Sequence, residues 1–141
     1  MVRTGSAVWQ GTLREGNGAL STESGVLRAS PYSFRSRFES EPATNPEELI
    51  AAAHAGCFSM AFSAQLQAAG LTPERIETTA RVSLEKVGAE FEVTASRLEV
   101  LARVPGASRE AFDRAAAAAK EGCPISKLLR AEISLEARLE G

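Results

Sequence analysis

Two cysteines, Cys57 and Cys123, are the residues of this chain whose type and placement speak most directly of chemistry. A thiolate is a nucleophile and electron donor, and a second thiol within reach can trap its oxidised form as a disulfide. The two lie 66 positions apart, which excludes a local Cys-x-x-Cys redox motif and a zinc knuckle. His54 is the single histidine, so the usual zinc ligand sets are missing and no metal centre is expected. One histidine forms no triad by itself, and His54 reads first as a hydrogen-bonded structural group.

Two readings are open for Cys57. Free cysteine is among the most buried residue types, and an apolar setting raises a thiol's pKa. Reactivity therefore needs a cation close by. Arg37, between Ser36 and Phe38, is the best candidate nearby in sequence, although it reads equally well as a solvated arginine. Cys123 precedes Pro124 at the predicted N-cap of a short helix, where the dipole lowers a thiol pKa; the alternative is a purely structural cap. His54 lies one turn before Cys57, on roughly the same helix face.

The element that must carry Cys57 has clear boundaries. Asn45 is a good N-cap, Pro46 suits the first helical position, and Glu48 at the third completes a capping box. From Leu49 to Ala69 the helix is nearly all small or apolar, and Gly70 offers a left-handed terminus. A membrane span fails because His54, Ser59, Ser63, Gln65 and Gln67 interrupt the run and no basic flank orients it. A helix apolar on most faces is expected to be buried on most faces, and its small residues allow another backbone to come close. Glu47 and Cys57 are ten residues apart, about 15 Å along a helix. If both serve one site, Glu47 must come from a second subunit, as two-fold antiparallel packing of such helices would allow.

The first forty residues carry three β-like runs, Ala7–Arg14, Gly18–Leu27 and Pro31–Phe38, with a hairpin turn at Glu15-Gly16-Asn17-Gly18. Thr78–Lys86 alternates, as does Glu90–Val104, whose apolar phase shifts between Ala95 and Leu98 in the manner of a bulge. Ser108 caps a helix over Arg109–Glu121 that contains a five-alanine run, and a short helix follows over Ile125–Arg130. Glu132–Glu140 alternates as a half-buried strand. The order predicts an antiparallel α+β protein, a single domain over residues 1–141.

Composition narrows the class. With 141 residues, 44% hydrophobic and 24% charged, the chain is long enough to bury a core without staples. A net charge of −2 with interspersed signs argues against a nucleic-acid groove or an anionic-membrane patch. No apolar leader is visible at the N-terminus, so the expected compartment is the reducing cytoplasm, where free thiols persist.

The string Thr44-Asn45-Pro46-Glu47-Glu48-Leu49-Ile50-Ala51-Ala52-Ala53-His54-Ala55-Gly56-Cys57-Phe58-Ser59-Met60-Ala61 has a recognisable look. Together with Ser21–Leu27, Pro31–Phe34, Arg37-Phe38-Glu39 and Gly122-Cys123-Pro124-Ile125-Ser126, it resembles the OsmC branch of the OsmC/Ohr peroxidase family nearly end to end. The resemblance implies an OsmC-like fold: antiparallel sheets wrapped around long central helices in an intertwined homodimer, with two sites at the subunit interface. It implies that Cys57 is the peroxidatic cysteine, Cys123 the resolving cysteine, Arg37 the activating arginine and Glu47 its carboxylate partner. The implied reaction reduces an organic hydroperoxide to an alcohol through a Cys57 sulfenic acid and a Cys57–Cys123 disulfide, with no resident cofactor. An external dithiol, such as a dihydrolipoyl protein, then resets the pair. Phe34, Phe58 and Met60 are expected to line an apolar pocket that favours alkyl or fatty-acid hydroperoxides over hydrogen peroxide.

Two other classes use the same features. A redox sensor would oxidise the thiol pair once without sustained turnover, and a dimeric carrier would hold incidental cysteines. Nothing in the chain reads as a DNA-binding helix-turn-helix, which counts against a direct regulator.

Overall fold

The structure, a computed structural model, describes all 141 residues and groups them into two compact units, Met1–Leu49 and Ile50–Gly141. In the first unit, β1 (Gly5–Gln10), β2 (Asn17–Thr22) and β3 (Ser30–Tyr32) form an antiparallel sheet in that order. The strands are shorter than the sequence pattern suggests. Gly18 pairs with Trp9 on one side and Tyr32 on the other, and a Cβ there would strike both rings. The two rings face each other at 5.4 Å across the glycine, which packs an otherwise bare patch of backbone.

The third run departs from expectation. Strand β3 stops at Tyr32, and Phe34–Phe38 forms a short helix, α1, so Arg37 lies on a helix and not at the end of a strand. The cause is local. Ser33 Oγ accepts from the Ser36 N–H at 3.1 Å while Ser36 Oγ accepts from the Ser33 N–H at 2.8 Å, a reciprocal serine pair that closes the first turn. Apart from Ser36 and Glu47, no residue of this unit is buried.

Helix α2 (Pro46–Ala68) begins as predicted, with Asn45 Oδ1 accepting from the Glu48 N–H at 2.8 Å. The capping box is only half made, because the Glu48 carboxylate turns to Thr44 Oγ1 at 2.9 Å. Gly70 takes the left-handed conformation, φ +77°, that ends the helix. Expected burial on most faces is not what the chain shows. His54, Phe58, Phe62 and Leu66, four residues apart, form the buried stripe, whereas Ala52, Ala53, Gly56, Met60 and Ala64 are exposed. By length and a mean hydropathy of 1.3 the helix also meets the requirement for crossing a bilayer.

In the second unit β4 (Arg75–Val87) pairs antiparallel with β5 (Glu90–Arg103). The register shifts where Ser83 faces Ala95 and Leu84 faces Val93, so Thr94 is the inserted residue, just before the predicted position. Helices α3 (Arg109–Gly122) and α4 (Pro124–Leu128) lead to β6 (Glu132–Leu139), which pairs with β5 in parallel. The all-antiparallel expectation fails at this strand, because the helical crossover returns the chain in the same direction.

The core of this unit joins Phe58, Phe62 and Leu66 of α2 to Leu98, Val100 and Ala102 of β5 and to Phe112, Ala115, Ala116 and Ala119 of α3. Phe62 meets Phe112 edge-on at 5.3 Å. The alanine run of α3 packs closely, as its composition predicts, and Ser108 caps it by accepting from the Ala111 N–H at 3.1 Å. Fully burying each phenylalanine contributes about 1.5–3 kcal/mol, which fixes the phase of α2 and therefore the direction in which Cys57 projects.

Candidate active site

Cys57, half-buried on α2, and Cys123, fully buried between α3 and α4, meet within the second unit as free thiols. The two thiols lie close enough for each to shift the ionisation of the other. Burial first, then the neighbouring Cys123, pushes the Cys57 thiol up, while the Ile125 N–H acts in the opposite sense. Burial pushes Cys123 up too, but Cys57, the N–H groups of Ser126 and Ile125 and the Ser126 hydroxyl outweigh it. Its thiol is held below the ordinary value. None of the groups acting on Cys57 within this unit is a cation.

Behind the pair lies a polar chain that sequence reasoning missed. His54, fully buried, has Nδ1 at 2.7 Å from Ser96 Oγ and Nε2 at 2.9 Å from Ser126 Oγ. Ser96 comes from β5, directly beside the core residue Leu98, and Ser126 from α4. Burial holds the imidazole below its usual pKa, so it is neutral. The reading of His54 as a hydrogen-bonded structural group agrees with its two partners. Its proximity to Ser126 was out of reach because those residues are 72 positions apart.

The first unit holds the other two predicted residues. Arg37 Nη2 and Nε donate to Glu47 Oε1 at 2.8 and 3.0 Å, and Nε also reaches Oε2 at 3.2 Å. Ser36 makes this possible. Its hydroxyl donates to the Thr44 carbonyl at 3.0 Å and its own carbonyl accepts from Asn45 Nδ2 at 3.0 Å, tying α1 to the start of α2. The Arg37 guanidinium also lies 5.3 Å from the Phe38 ring centroid. Beside it opens an apolar cavity of about 240 Å³, walled by Trp9, Leu13, Tyr32, Phe34 and Phe38 with Arg37 at its edge.

Four of the predicted site residues thus form two pairs, Cys57 with Cys123 and Arg37 with Glu47, one in each unit. Of the predicted pocket residues, Phe34 lines the cavity beside Arg37. Phe58 does not serve as pocket wall: it is fully buried against Phe62, with ring centroids 5.6 Å apart, and has no surface to offer a ligand. Met60 is 78% exposed on α2 and encloses nothing within its own chain. No group of three His, Cys, Asp or Glu side chains is arranged to hold a metal ion.

The family model for OsmC-like proteins matches residues 38–138, which include both cysteines and Glu47. The chain belongs to the OsmC family. It is 52% identical over 138 residues to the peroxiredoxin OsmC of Escherichia coli (strain K12), covering 98% of this chain and 96% of that protein, and matches the peroxiredoxin OsmC of Shigella flexneri equally. Among solved structures, the organic hydroperoxide resistance protein OhrB of Bacillus subtilis superposes with a TM-score of 0.68 at 24% identity, over 97% of this chain and 98% of that one. An OsmC protein of Legionella pneumophila, described as an organic hydroperoxide resistance protein, gives 0.66 at 25% identity, over 98% and 97%. The α+β fold is therefore that of the OsmC and Ohr proteins, and Cys57 and Cys123 are thiols of an OsmC family member.

Proposed function

We propose that this chain reduces organic hydroperoxides to alcohols through a Cys57 sulfenic acid and a Cys57–Cys123 disulfide, at a site completed by a second copy of the chain. The coarser statement, a cysteine-based peroxidase of the OsmC family, rests on the peroxiredoxin relatives that match almost its whole length. The observation that carries the finer one is the contact between the two sulfurs, brought together from elements 66 positions apart.

Cys57 is the thiol of the pair with access to solvent, but it needs a cation to ionise. Arg37 is the proposed source, and its fork on Glu47 leaves Nη1 free of that carboxylate to face a peroxide. Because Arg37 is bound to Glu47, and Glu47 stands about 15 Å from Cys57 along α2, the pair acts on the thiol of the other subunit. Two further features favour a homodimer. The Ala52–Gly56–Met60–Ala64 face of α2 is uncovered, and the first unit exposes Val8, Leu13 and Val26 with no buried apolar side chain of its own. A second copy covers both; a bilayer would cover only the helix.

The cycle balances. The Cys57 thiolate attacks the distal peroxide oxygen, the O–O bond breaks, and the alkoxide leaves and takes up a proton to become the alcohol. The Cys123 thiolate then attacks the Cys57 sulfenic sulfur, and the hydroxide expelled is protonated to water. An external dithiol, with a dihydrolipoyl protein as the proposed donor, reduces the disulfide, so the cycle needs a reducing compartment such as the cytoplasm. The aromatic cavity beside Arg37 supports an aryl or alkyl substituent on the peroxide, since hydrogen peroxide has nothing to place there.

The test is anaerobic reduction followed by one equivalent of cumene hydroperoxide. Mass spectrometry should find a Cys57–Cys123 bridge within one chain, and steady-state consumption with a dithiol should continue over many turnovers. A single oxidation without turnover would favour the redox-sensor reading.

A further inference from the structure

The elements that carry the two cysteines are joined a second time, by a polar bridge. His54 stands three residues before Cys57 on α2, and Ser126 stands three residues after Cys123 on α4. Their side chains meet at 2.9 Å, His54 Nε2 to Ser126 Oγ, so a polar rung runs beside the sulfur pair. Behind it, Ser96 of β5 fixes the imidazole at Nδ1, 2.7 Å away. A neutral imidazole has one donor and one acceptor, and a hydroxyl can be either, so both bonds are made in either tautomer.

Little else fastens α4. Ser126 is the one buried residue among its five, Ile125 is half-buried, Leu128 is exposed, and Cys123 at the N-cap makes no side-chain cap. On its flank opens a cavity of about 330 Å³ lined by Ser126, Lys127, Leu129, Ala131 and Ile133. A helix this short has little stability of its own. An apolar contact would also let it slide, whereas a hydrogen bond fixes distance and direction. Cys123 is buried at the head of α4, so the seat of that helix decides how near its sulfur comes to Cys57. Resting on the peroxidase reading above, we propose that His54 and Ser126 are positioning residues that pin α4 to α2 and thereby set the rate at which Cys123 closes the disulfide on an oxidised Cys57.

The test treats the reduced protein with the symmetrical disulfide of thionitrobenzoate. It needs no peroxide, so its outcome is separate from that of the peroxidase reading. Cys57, the thiol with access, attacks the reagent and releases one thionitrobenzoate, in a phase that follows reagent concentration. Cys123 then attacks the Cys57 sulfur, the bond to the attached thionitrobenzoate breaks, and that anion leaves as the Cys57–Cys123 bond forms. Both thiol protons go to solvent. This closing phase is independent of reagent concentration. Ser126→Ala should slow it roughly 10- to 100-fold while the first phase keeps its rate. His54→Gln, whose amide reaches the Nε2 position, should close nearly as fast as the wild type. His54→Asn, whose amide ends near Nδ1, should close as slowly as Ser126→Ala. Ser59→Ala is the control: it cuts a 2.7 Å tie from α2 to Thr78 of β4 and should alter neither phase. A closing phase unmoved in Ser126→Ala, or slowed equally in Ser59→Ala, overturns the proposal. Equal slowing of both phases in Ser126→Ala overturns it as well, since a general loosening of the unit has that effect.

Discussion

Arg37 grips Glu47 with two nitrogens, Nη2 at 2.8 Å and Nε at 3.0 Å from the same carboxylate oxygen, although ten residues and a helix boundary separate them. A lysine ammonium presents one point charge and cannot both hold this carboxylate and face a peroxide. Arg37→Lys should therefore lower kcat/KM for cumene hydroperoxide on the order of 10²-fold. Glu47→Gln, which keeps one hydrogen-bond acceptor, should cost about tenfold. Wild-type rates in Arg37→Lys would remove Arg37 from the mechanism.

The sulfur pair makes a less obvious prediction. Cys57 is raised by burial and then by its contact with Cys123, so Cys123→Ala should lower its pKa. Trapping of the first-turnover sulfenic acid at neutral pH should then be roughly 3–10-fold faster than in the wild type. Steady-state turnover with a dithiol should meanwhile fall to background. Slower first oxidation in this variant would show that Cys123 assists Cys57 rather than restrains it.

Gly56 gives a test of the second copy. A Cβ placed there meets no heavy atom within 4 Å, so nothing in its own chain requires a glycine. Glycine in a helix interior costs about 1 kcal/mol relative to alanine, and its retention calls for a neighbour outside the chain. Gly56→Leu should convert a dimer into monomers in sedimentation velocity and abolish peroxidase turnover while helical content holds. A dimeric, active Gly56→Leu protein would argue against packing through this face.

The cavity beside Arg37 should govern substrate preference. Truncating Phe34 removes one aromatic wall, and contacts of that size discriminate by about 1–3 kcal/mol. Phe34→Ala should lower kcat/KM for cumene hydroperoxide about tenfold or more and leave the rate with hydrogen peroxide unchanged. Equal losses with both peroxides would mean that the cavity does not hold the substituent.

His54 should show itself in stability as a function of pH. Burial depresses its pKa in the fold below the ordinary 6.5. The unfolded chain then takes up a proton first, so the contribution is intact above about pH 6.5 and is lost as pH falls towards the folded value. Urea midpoints between about pH 7.5 and 5.5 should decline in the wild type and flatten in His54→Gln. An equal decline in both would assign the slope to other groups.

Much of this was legible in the residues, for reasons that differ from element to element. The caps Asn45 and Ser108, the terminus Gly70 and the alternation of β4 and β6 are local signals, and each element lies within a few residues of its predicted place. Helix α1 was missed because Pro31–Phe38 reads as a strand unless the Ser33–Ser36 reciprocal pair is noticed. The parallel pairing of β6 depends on how far the crossover helices carry the chain, which periodicity does not encode. Phe58 follows Cys57 directly in the chain, but one residue's step on a helix turns it 100° away, into the core. Ser96 and Ser126 carried no signal at all until the fold closed around His54.

The N-terminal unit, with Ser36 and Glu47 its only buried residues, has no greasy interior to call its own. Whatever order it keeps must be borrowed, and under the proposed assembly the lender is an identical molecule. Melting temperature should then climb with the logarithm of protein concentration, as mass action requires. Under that assembly dilution would become a form of control: a cell that makes little of this chain would lose the proposed partnership of arginine and sulfur before it loses the sulfur itself.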